Sequence, residues 1–217
     1  MTTLYITNHN YAPYLAQSID SALAQTCSSI EVLIIDDGST DNSKEIIENY
    51  RGRKGVRIFY NKNQGLIPTA NFAIAQAKGK YIMRLDADDI LEPNAVELMT
   101  QYLEENKDVA VVFPGYYLCD QEGNTTNTIR RSPETLILKP EDKEPHGACT
   151  LIRKSILEEL GCYSNYIDCQ DGYDLWLKIR NKHKVAALPQ ALFYYREHNT
   201  NLTKDLARIE RARGVLN

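Results

Sequence analysis

The alternation of short apolar runs and helix-like stretches over the first 113 residues constrains the fold more than any other feature. Apolar runs at 4–7, 31–36, 56–60, 81–85 and 109–113 predict strands, and the stretches between them predict helices. Pro68 is typical of the start of one such helix, and Gly79 of its end. Parallel strands need a crossover of about a dozen residues, usually a helix. The sequence therefore predicts an α/β fold with a mainly parallel sheet in α/β/α layers.

The second half of the sequence is less regular. Segments at 116–119 and 125–129 flank a polar turn and predict a hairpin, and further strands are expected at 148–152, 185–188 and 193–196. Helices are predicted at 155–160, 173–181 and 203–213, and three prolines mark a connection over 130–144. Length alone allows one domain or two. We expect a single domain over residues 1–217, built from halves at 1–113 and 114–200 and a C-terminal helix at 201–217.

Composition excludes several classes of protein. Lys and Arg number 25 against 29 Asp and Glu, a net charge of −4 that argues against general nucleic-acid binding. The longest apolar runs, at 109–113 and 191–195, are far shorter than the roughly 20 residues of a membrane-spanning helix. The N-terminus lacks the basic and apolar regions of a secretion signal, so we expect a cytoplasmic protein. Its 5 cysteines form no CxxC pair, which predicts reduced thiols and no zinc site.

Three polar clusters follow predicted strands, at 7–10, 36–39 and 86–89. Ligands in open α/β sheets bind outside the carboxyl ends of the strands, so these clusters are candidates for a site. The cluster at 36–39 fits a turn with a helix cap as well as a carboxylate that contacts a nucleoside. The cluster at 86–89 holds three carboxylates, which repel one another and which a turn does not need. It predicts a hard cation such as Mg²⁺ or Mn²⁺, because no thiolate or imidazole accompanies it in the sequence.

Two further clusters lie in the second half. Asp168, Asp171 and Asp174 surround Gly172 at the start of a predicted helix. Acidic residues there act as helix caps, or one of them faces a cleft as a base. His198 follows the last predicted strand, and a lone histidine is more often structural than a metal ligand. The residues alone leave both alternatives open.

Several ordered motifs resemble those of the GT-A fold glycosyltransferases of family 2. They are the segment 4–10, AQT at 24–26, IIDDGSTDNS at 34–43, NQG at 63–65, GKYIMRLDADDILEPNAVE at 79–97, YDLWLK at 173–178 and YYREH at 194–198. The resemblance runs from about residue 4 to residue 203. It implies a Rossmann-like GT-A (nucleotide-diphospho-sugar transferase) fold, with a nucleotide-sugar-binding half at 1–113 and an acceptor and catalytic half at 114–200.

The resemblance implies a set of donor-binding residues. Thr7, His9 and Asp37 match positions that hold the nucleoside, with Asp37 facing the base, and Asp86 matches the first Asp of the DxD motif, which contacts the ribose. Family members often have Tyr where His9 stands, and an imidazole stacks less extensively on a base. An Arg that is common in the family is replaced by Ala70. The diphosphate charge is therefore expected to meet the metal and Arg196, with Arg84 and Lys62 as alternatives.

The resemblance also implies a metal site and a catalytic base. Asp88 matches the second Asp of the DxD motif, which ligates the divalent metal, and His198 matches a C-terminal His that completes the metal site in some members. The usual Glu-Asp before YDLW reads Gln170-Asp171-Gly172 here. If Gly172 is an insertion, Asp171 is the base, and this is the assignment that we adopt. Without a gap, Asp171 takes the position of the Glu, and Asp174 or Asp168 would be the base.

The function implied is an inverting, metal-dependent sugar transfer. The donor would be a nucleotide-sugar, expected to be a UDP-sugar, and the acceptor a hydroxyl of a glycan or lipid-linked molecule, as in polysaccharide or cell-surface glycan synthesis. A non-catalytic nucleotide-sugar-binding module is the alternative. A DxD-type phosphatase is disfavoured, because its Asp pair normally follows the first strand.

The acceptor and the C-terminal helix are less defined. We expect the segments 130–144 and 162–169 to contact the acceptor, because variable loops carry specificity. Three arginines alternate with apolar residues in the C-terminal helix, at Arg208, Arg211 and Arg213. This pattern predicts a solvated helix with one packed face. A dimer contact and peripheral contact with an anionic membrane are the alternatives.

Overall fold

A computed structural model describes residues 1–130, 137–139, 142, 144 and 146–216. The elements in chain order are β1 (Thr2–Asn8), α1 (Ala12–Leu23), β2 (Ile30–Asp37), α2 (Ser43–Glu48), β3 (Val56–Asn61), α3 (Leu66–Gln76), β4 (Tyr81–Asp86), β5 (Ile90–Leu91), α4 (Ala95–Glu105), β6 (Val109–Cys119), β7 (Thr125–Ile129), β8 (Leu151–Arg153), α5 (Lys154–Glu159), α6 (Asp171–Ile179), β9 (Lys184–Arg196), a 3-10 turn (Leu202–Lys204) and α7 (Leu206–Leu216). In the described residues the strands form one sheet in the order β3-β2-β1-β4-β8-β6-β9-β5, with β7 paired to β6.

The N-terminal half of the sheet is parallel. β1 lies between β2 and β4, and its register places Thr7 beside Asp86 and Asn8 beside Asp36. Alternate residues of the strands point to opposite faces, so Leu4 packs with α1 and α4 while Tyr5 packs with α3 and α6. The predicted α/β fold with helices on both faces is confirmed, and the polar clusters at 7–10, 36–39 and 86–89 meet at one edge.

The second half of the sheet contains longer strands than the sequence predicts. β6 and β9 each unite two predicted segments and pair in parallel with each other. The predicted break in β6 fell at Pro114, which lacks an N–H, and the structure accommodates it through register shifts on both sides of Gly115. β8 pairs antiparallel with β4 and β6, and β5 pairs antiparallel with β9. The two-residue β5 is too short to predict from periodicity.

Two details of the helices differ from expectation. α3 begins two residues before Pro68, and its C-cap is Ala77 in an extended conformation, so Gly79 does not end the helix. An added Cβ on Gly79 would lie 2.5 Å from the backbone nitrogen of Thr3, so this glycine is needed for close approach of two chain segments. The three prolines predicted to mark the connection at 130–144 lie outside the described residues. None of the helices in the described ranges has the length and apolar character needed to cross a membrane.

Candidate active site

The main cavity lies at the carboxyl ends of β1 and β4 and has a volume of about 580 Å³. Thr7, Asp86 and Asp88 line it from the first half of the chain, and Asp171 lines it from the start of α6. The fold therefore brings predicted donor, metal and base residues into one space. Ligand cavities in open α/β sheets occupy this position.

The three carboxylates at 86–89 have different partners. Asp86 Oδ1 lies 2.7 Å from Nε of Arg84, and Asp88 Oδ2 lies 2.8 Å from Nε2 of His198. Asp89 is only 1% exposed and accepts a hydrogen bond from the Arg196 backbone N–H at 3.1 Å. Burial, followed by repulsion from Asp88 and Asp86, raises the pKa of Asp89 well above its ordinary value. Of these three carboxylates, Asp86 and Asp88 line the cavity and Asp89 does not.

His198 is held in one orientation. Its ring stacks on Tyr14 with centroids 5.2 Å apart, and the Thr200 backbone N–H points to Nδ1 at 3.3 Å. On the other side of the ring, Nε2 lies 2.8 Å from Asp88 Oδ2. The sequence separation of this pair is 110 residues, and the antiparallel β5–β9 pairing brings the two segments together.

Asp88 and His198 fit part of a divalent-metal site. In the described part of the chain, no group of three or more His, Cys, Asp or Glu side chains is arranged to hold a metal ion. Two neighbouring ligands at about 2.1 Å from Mg²⁺ lie about 3 Å apart, close to the 2.8 Å between Asp88 Oδ2 and His198 Nε2. Mg²⁺ typically takes one or two carboxylates and completes its shell with phosphate oxygens and water. The pair suits a cation that arrives with a diphosphate.

The three base candidates are placed differently. Asp171 lines the cavity and pairs with Arg84. Asp174 is buried away from it, and its carboxylate accepts hydrogen bonds from the Ser164 backbone and hydroxyl and from Lys178. Asp168 pairs with Arg208 of α7 at 2.9 Å on the surface. Asp171 is the one of the three that lines the cavity, and its role as base stays a prediction.

His9 and Asp37 lie together beside Thr7, outside the lining of the main cavity. His9 Nδ1 is 3.0 Å from the Asp37 carbonyl oxygen. The Asp37 carboxylate is buried and accepts the backbone N–H groups of Gln64 and Gly65 at 3.0 and 2.8 Å. It therefore holds the loop that begins α3. The contacts of both residues with a nucleoside stay predictions.

Arg196 is engaged by the protein itself. It is 1% exposed, and its guanidinium donates to the Asp88 carbonyl oxygen, to that of Gln121 and to the Gln17 side chain at 2.9, 2.7 and 2.6 Å. These contacts fix the 86–89 turn against the β6–β7 hairpin, and Arg196 does not line the cavity. Its predicted contact with the diphosphate would require those bonds to be exchanged.

The sequence analysis missed several residues of the cavity. Tyr116, His146 and Tyr195 form an aromatic wall, with the His146 ring 5.6 Å from Tyr116 and 4.9 Å from Tyr195 between centroids. Burial lowers the pKa of His146, so its ring is neutral near pH 7. Nothing in the sequence marks Tyr116 or His146. Arg84 was considered only for the diphosphate, although its position two residues before Asp86 places both on one face of β4.

Comparison with known sequences identifies the family. A sequence model of glycosyl transferase family 2 matches residues 3–161. An uncharacterized glycosyltransferase of Rickettsia typhi is 32% identical over 94% of this chain and 66% of its own length. Chondroitin synthase of Escherichia coli is 38% identical over 57% of this chain, and hyaluronan synthase of Pasteurella multocida is 43% identical over 52%. The chain spans 66% of the Rickettsia typhi protein but only 18% and 12% of the two synthases.

Comparison with solved structures agrees on the fold. S. aureus TarS in complex with UDP-GlcNAc matches with a TM-score of 0.79 over 94% of this chain and 60% of that chain, at 15% identity. Its complex with UDP matches with a TM-score of 0.77 over 99% of this chain and 64% of that chain. The predicted GT-A fold is confirmed. Because the family model covers well over half of the sequence, this chain belongs to glycosyl transferase family 2.

Proposed function

We propose that this protein is an inverting, metal-dependent glycosyltransferase that moves a sugar from a UDP-sugar to a hydroxyl of a glycan or lipid-linked acceptor. The observation that carries the proposal is the position of Asp171, which lines the same cavity as Asp86 and Asp88 from the opposite half of the chain. TarS, which shares the fold, was solved with UDP-GlcNAc and with UDP. The names of the two synthases favour a polysaccharide acceptor.

The donor occupies the edge of the sheet at β1, β2 and β4. Thr7, His9 and Asp37 contact the nucleoside, and Asp86 contacts the ribose. Asp88 and His198 would hold Mg²⁺ or Mn²⁺. When bound, such an ion neutralises charge that develops on the leaving diphosphate. The buried Arg196 keeps the turn that carries Asp86 and Asp88 in place.

The acceptor occupies the side of the cavity formed by α6 and the aromatic wall of Tyr116, His146 and Tyr195. Asp171 accepts the proton of the acceptor hydroxyl while its oxygen attacks the anomeric carbon. The bond from that carbon to the diphosphate oxygen breaks, and UDP leaves with the bonding electrons. Attack from the face opposite the leaving group inverts the anomeric centre. General-base assistance of this kind contributes about 10²–10⁴-fold.

A thermal-shift panel of nucleotide-sugars with and without Mn²⁺ tests the proposal. A ligand at 100 times its dissociation constant stabilises a protein by about 2.7 kcal/mol. We expect stabilisation by UDP-sugars that depends on Mn²⁺, followed by UDP release with a glycan acceptor. No stabilisation by any nucleotide-sugar would overturn the proposal. Donor binding without hydrolysis or transfer would favour the alternative, a non-catalytic binding module.

A further inference from the structure

Arg84 is a buried cation that joins the two halves of the cavity. It is 6% exposed and lies on β4, two residues before Asp86. Its Nε is 2.7 Å from Asp86 Oδ1, and Nη1 donates a short hydrogen bond to Asp171 Oδ2. One guanidinium thus connects a carboxylate from the donor side with a carboxylate at the start of α6.

A purely structural role would not require an arginine at this position. Ile82 lies on the same face of β4, and Tyr5 on the neighbouring strand packs in the same apolar core. Replacing a buried ion pair by well-packed apolar side chains is often neutral or stabilising, because removing charges from water is costly. The cost of burying Arg84 is therefore better explained by what it does to the two carboxylates.

We propose that Arg84 is a positioning residue that orients the Asp171 carboxylate for the transfer reaction. The inference rests on the proposed function, because it assigns the role of base to Asp171. Arg84 binds Oδ2 of Asp171, and among the residues that the structure describes none donates a hydrogen bond to Oδ1. Oδ1 is then the oxygen that accepts the proton. Because Asp86 shares the guanidinium, the base is aligned with the donor side.

Four of the titratable groups near Asp171 are uncharged at neutral pH. They come from β1 and from the loops before β8 and α6, and they are Tyr5, Tyr163, His146 and Cys169. Burial raises the pKa of both tyrosines well above the ordinary value and that of Cys169 to about 11, and it lowers the pKa of His146. Arg213 and Glu144, which also line the cavity, pair with each other.

The pKa of Arg84 reflects two opposing effects, burial and the charges of the neighbouring carboxylates. Burial disfavours its charged form, but the carboxylates of Asp171 and Asp86 outweigh burial and hold the pKa well above its ordinary value. Arg84 therefore remains a cation throughout the pH range of an assay. Within the described residues it is the cation that contacts Asp171 directly.

The first test compares Arg84→Met with Arg84→Lys, using hydrolysis of UDP-GlcNAc with water in place of the acceptor. In Arg84→Met, kcat should fall by about 10²-fold, the loss associated with a base misplaced by about 1 Å. Arg84→Met should have little further effect on kcat in the Asp171→Asn background, because Arg84 acts through Asp171. Arg84→Lys should restore only part of kcat, since an ammonium cannot form the same forked contact with two carboxylates.

The second test compares the ¹³C chemical shift of the Asp171 carboxyl in the protein alone, with Asp171→Asn to assign the signal. We expect this chemical shift to differ between Arg84→Met and the wild type, because the carboxylate loses its hydrogen bond from Arg84. The control is Arg153→Met, because Arg153 on β8 donates to the carbonyl oxygens of Val109 and Leu103 and not to the site. An unchanged Asp171 carboxyl chemical shift in a fully active Arg84→Met enzyme would overturn this inference alone. A wild-type protein that neither binds UDP nor hydrolyses any nucleotide-sugar would overturn the proposed function and the inference together.

Discussion

The four-residue segment that ends β4 shows how neighbouring side chains of one type acquire different properties. Asp86 faces Arg84 and Asp88 faces His198, whereas Asp89 lies under the turn with its pKa raised by burial and by the other two carboxylates. Like charges this close do not all remain ionised unless each has a partner. The density of carboxylates predicts a site at this turn, but the partners of Asp88 and Asp89 come from β9 and the residues after it, which the local sequence does not show.

Asp88→Asn should abolish most of the metal dependence of donor binding while leaving the fold intact. The substituted side chain keeps the size and shape of Asp88. A neutral amide, however, lacks the negative charge with which a carboxylate binds a hard cation. Removing a hydrogen-bond partner of a metal ligand typically lowers metal affinity by about 10–100-fold. Removing the charge of a ligand itself should cost at least as much, so we expect UDP affinity in the presence of Mn²⁺ to fall by at least that factor. Titration calorimetry with and without Mn²⁺ measures it.

The matched control for that experiment is Asp89→Asn. Its carboxyl is buried, accepts the Arg196 backbone N–H and does not line the cavity, so the substitution should not reach a bound cation. This variant should keep the Mn²⁺ response of the wild type. Wild-type Mn²⁺ dependence in Asp88→Asn would remove Asp88 from the metal site.

Asn substitutions of the three acidic residues around α6 should have different effects on the transfer rate and on the free energy of unfolding. Asp171→Asn should keep UDP affinity near wild type and lose about 10²–10⁴-fold in transfer rate, the range of general-base catalysis. Asp168→Asn should leave transfer unchanged, because Asp168 lies on the surface with Arg208. Asp174→Asn should lower the free energy of unfolding by about 1–3 kcal/mol, since Lys178 loses its buried partner.

Steady-state rates and thermal unfolding of the three variants decide which of the three acidic residues is the base. A transfer rate for Asp171→Asn within tenfold of wild type at saturating acceptor would remove the base assignment. The sequence does not decide between Asp171 and Asp174, because the two residues lie about one helical turn apart. What distinguishes them is the contact of Asp174 with Ser164, in a loop whose path no local pattern predicts.

At the scale of elements, the sequence predicts what depends on local periodicity and misses what depends on neighbours. The strands and helices of residues 1–113 follow from apolar runs separated by caps and prolines. The continuous β6 does not follow from such patterns, because a proline such as Pro114 ordinarily interrupts a strand. Here β6 continues past Pro114 because it pairs with β9 on both sides of the proline. The two-residue β5 exists only because Ile90 and Leu91 pair with β9.

Gly79→Ala tests the close approach of the α3–β4 connection to β1. The new Cβ would lie 2.5 Å from the Thr3 nitrogen and 2.7 Å from the Tyr81 carbonyl oxygen, and backbone atoms cannot rotate aside. Overpacking of this kind costs about 1–3 kcal/mol, so the midpoint of denaturant unfolding should fall. Gly214→Ala is the control, because nothing lies within 4 Å of its added Cβ on α7. Equal stability of the two variants would contradict the steric explanation.

At the scale of the whole molecule, α7 forms part of the cavity although it is far in sequence from the site residues on β1, β4 and α6. Ile209 and Arg213 line the cavity, and Ala212 is buried against the domain. The helix thus has the packed face that the sequence predicts. Leu206 and Val215 are 67% and 61% exposed, so the dimer and membrane alternatives concern a different face of the helix and stay predictions.

Arg213 connects α7 to the segment that carries Asp171, the proposed base. Its Nε donates to the Gln170 side chain at 2.7 Å, another nitrogen pairs with Glu144, and the guanidinium stacks 4.5 Å from the Tyr173 ring centroid. Gln170 has a left-handed backbone, with φ of 66°, immediately before Asp171. The contact therefore supports a turn that few residues other than glycine adopt without cost.

Arg213→Met should loosen α7 and impair use of the acceptor while sparing the donor. Hydrogen bonds to charged groups contribute about 1.5–3 kcal/mol each when buried, and Arg213 is half-buried, so we expect about 1 kcal/mol of lost helix docking. Hydrogen exchange across 206–216 should become faster and the KM for the acceptor should rise, with the affinity for UDP unchanged. Arg211→Met on the exposed face of the same helix is the control and should alter neither quantity. Because the proposed donor contacts come from β1, β2 and β4, a loss of UDP affinity in Arg213→Met would show that α7 contacts the nucleotide and not the acceptor.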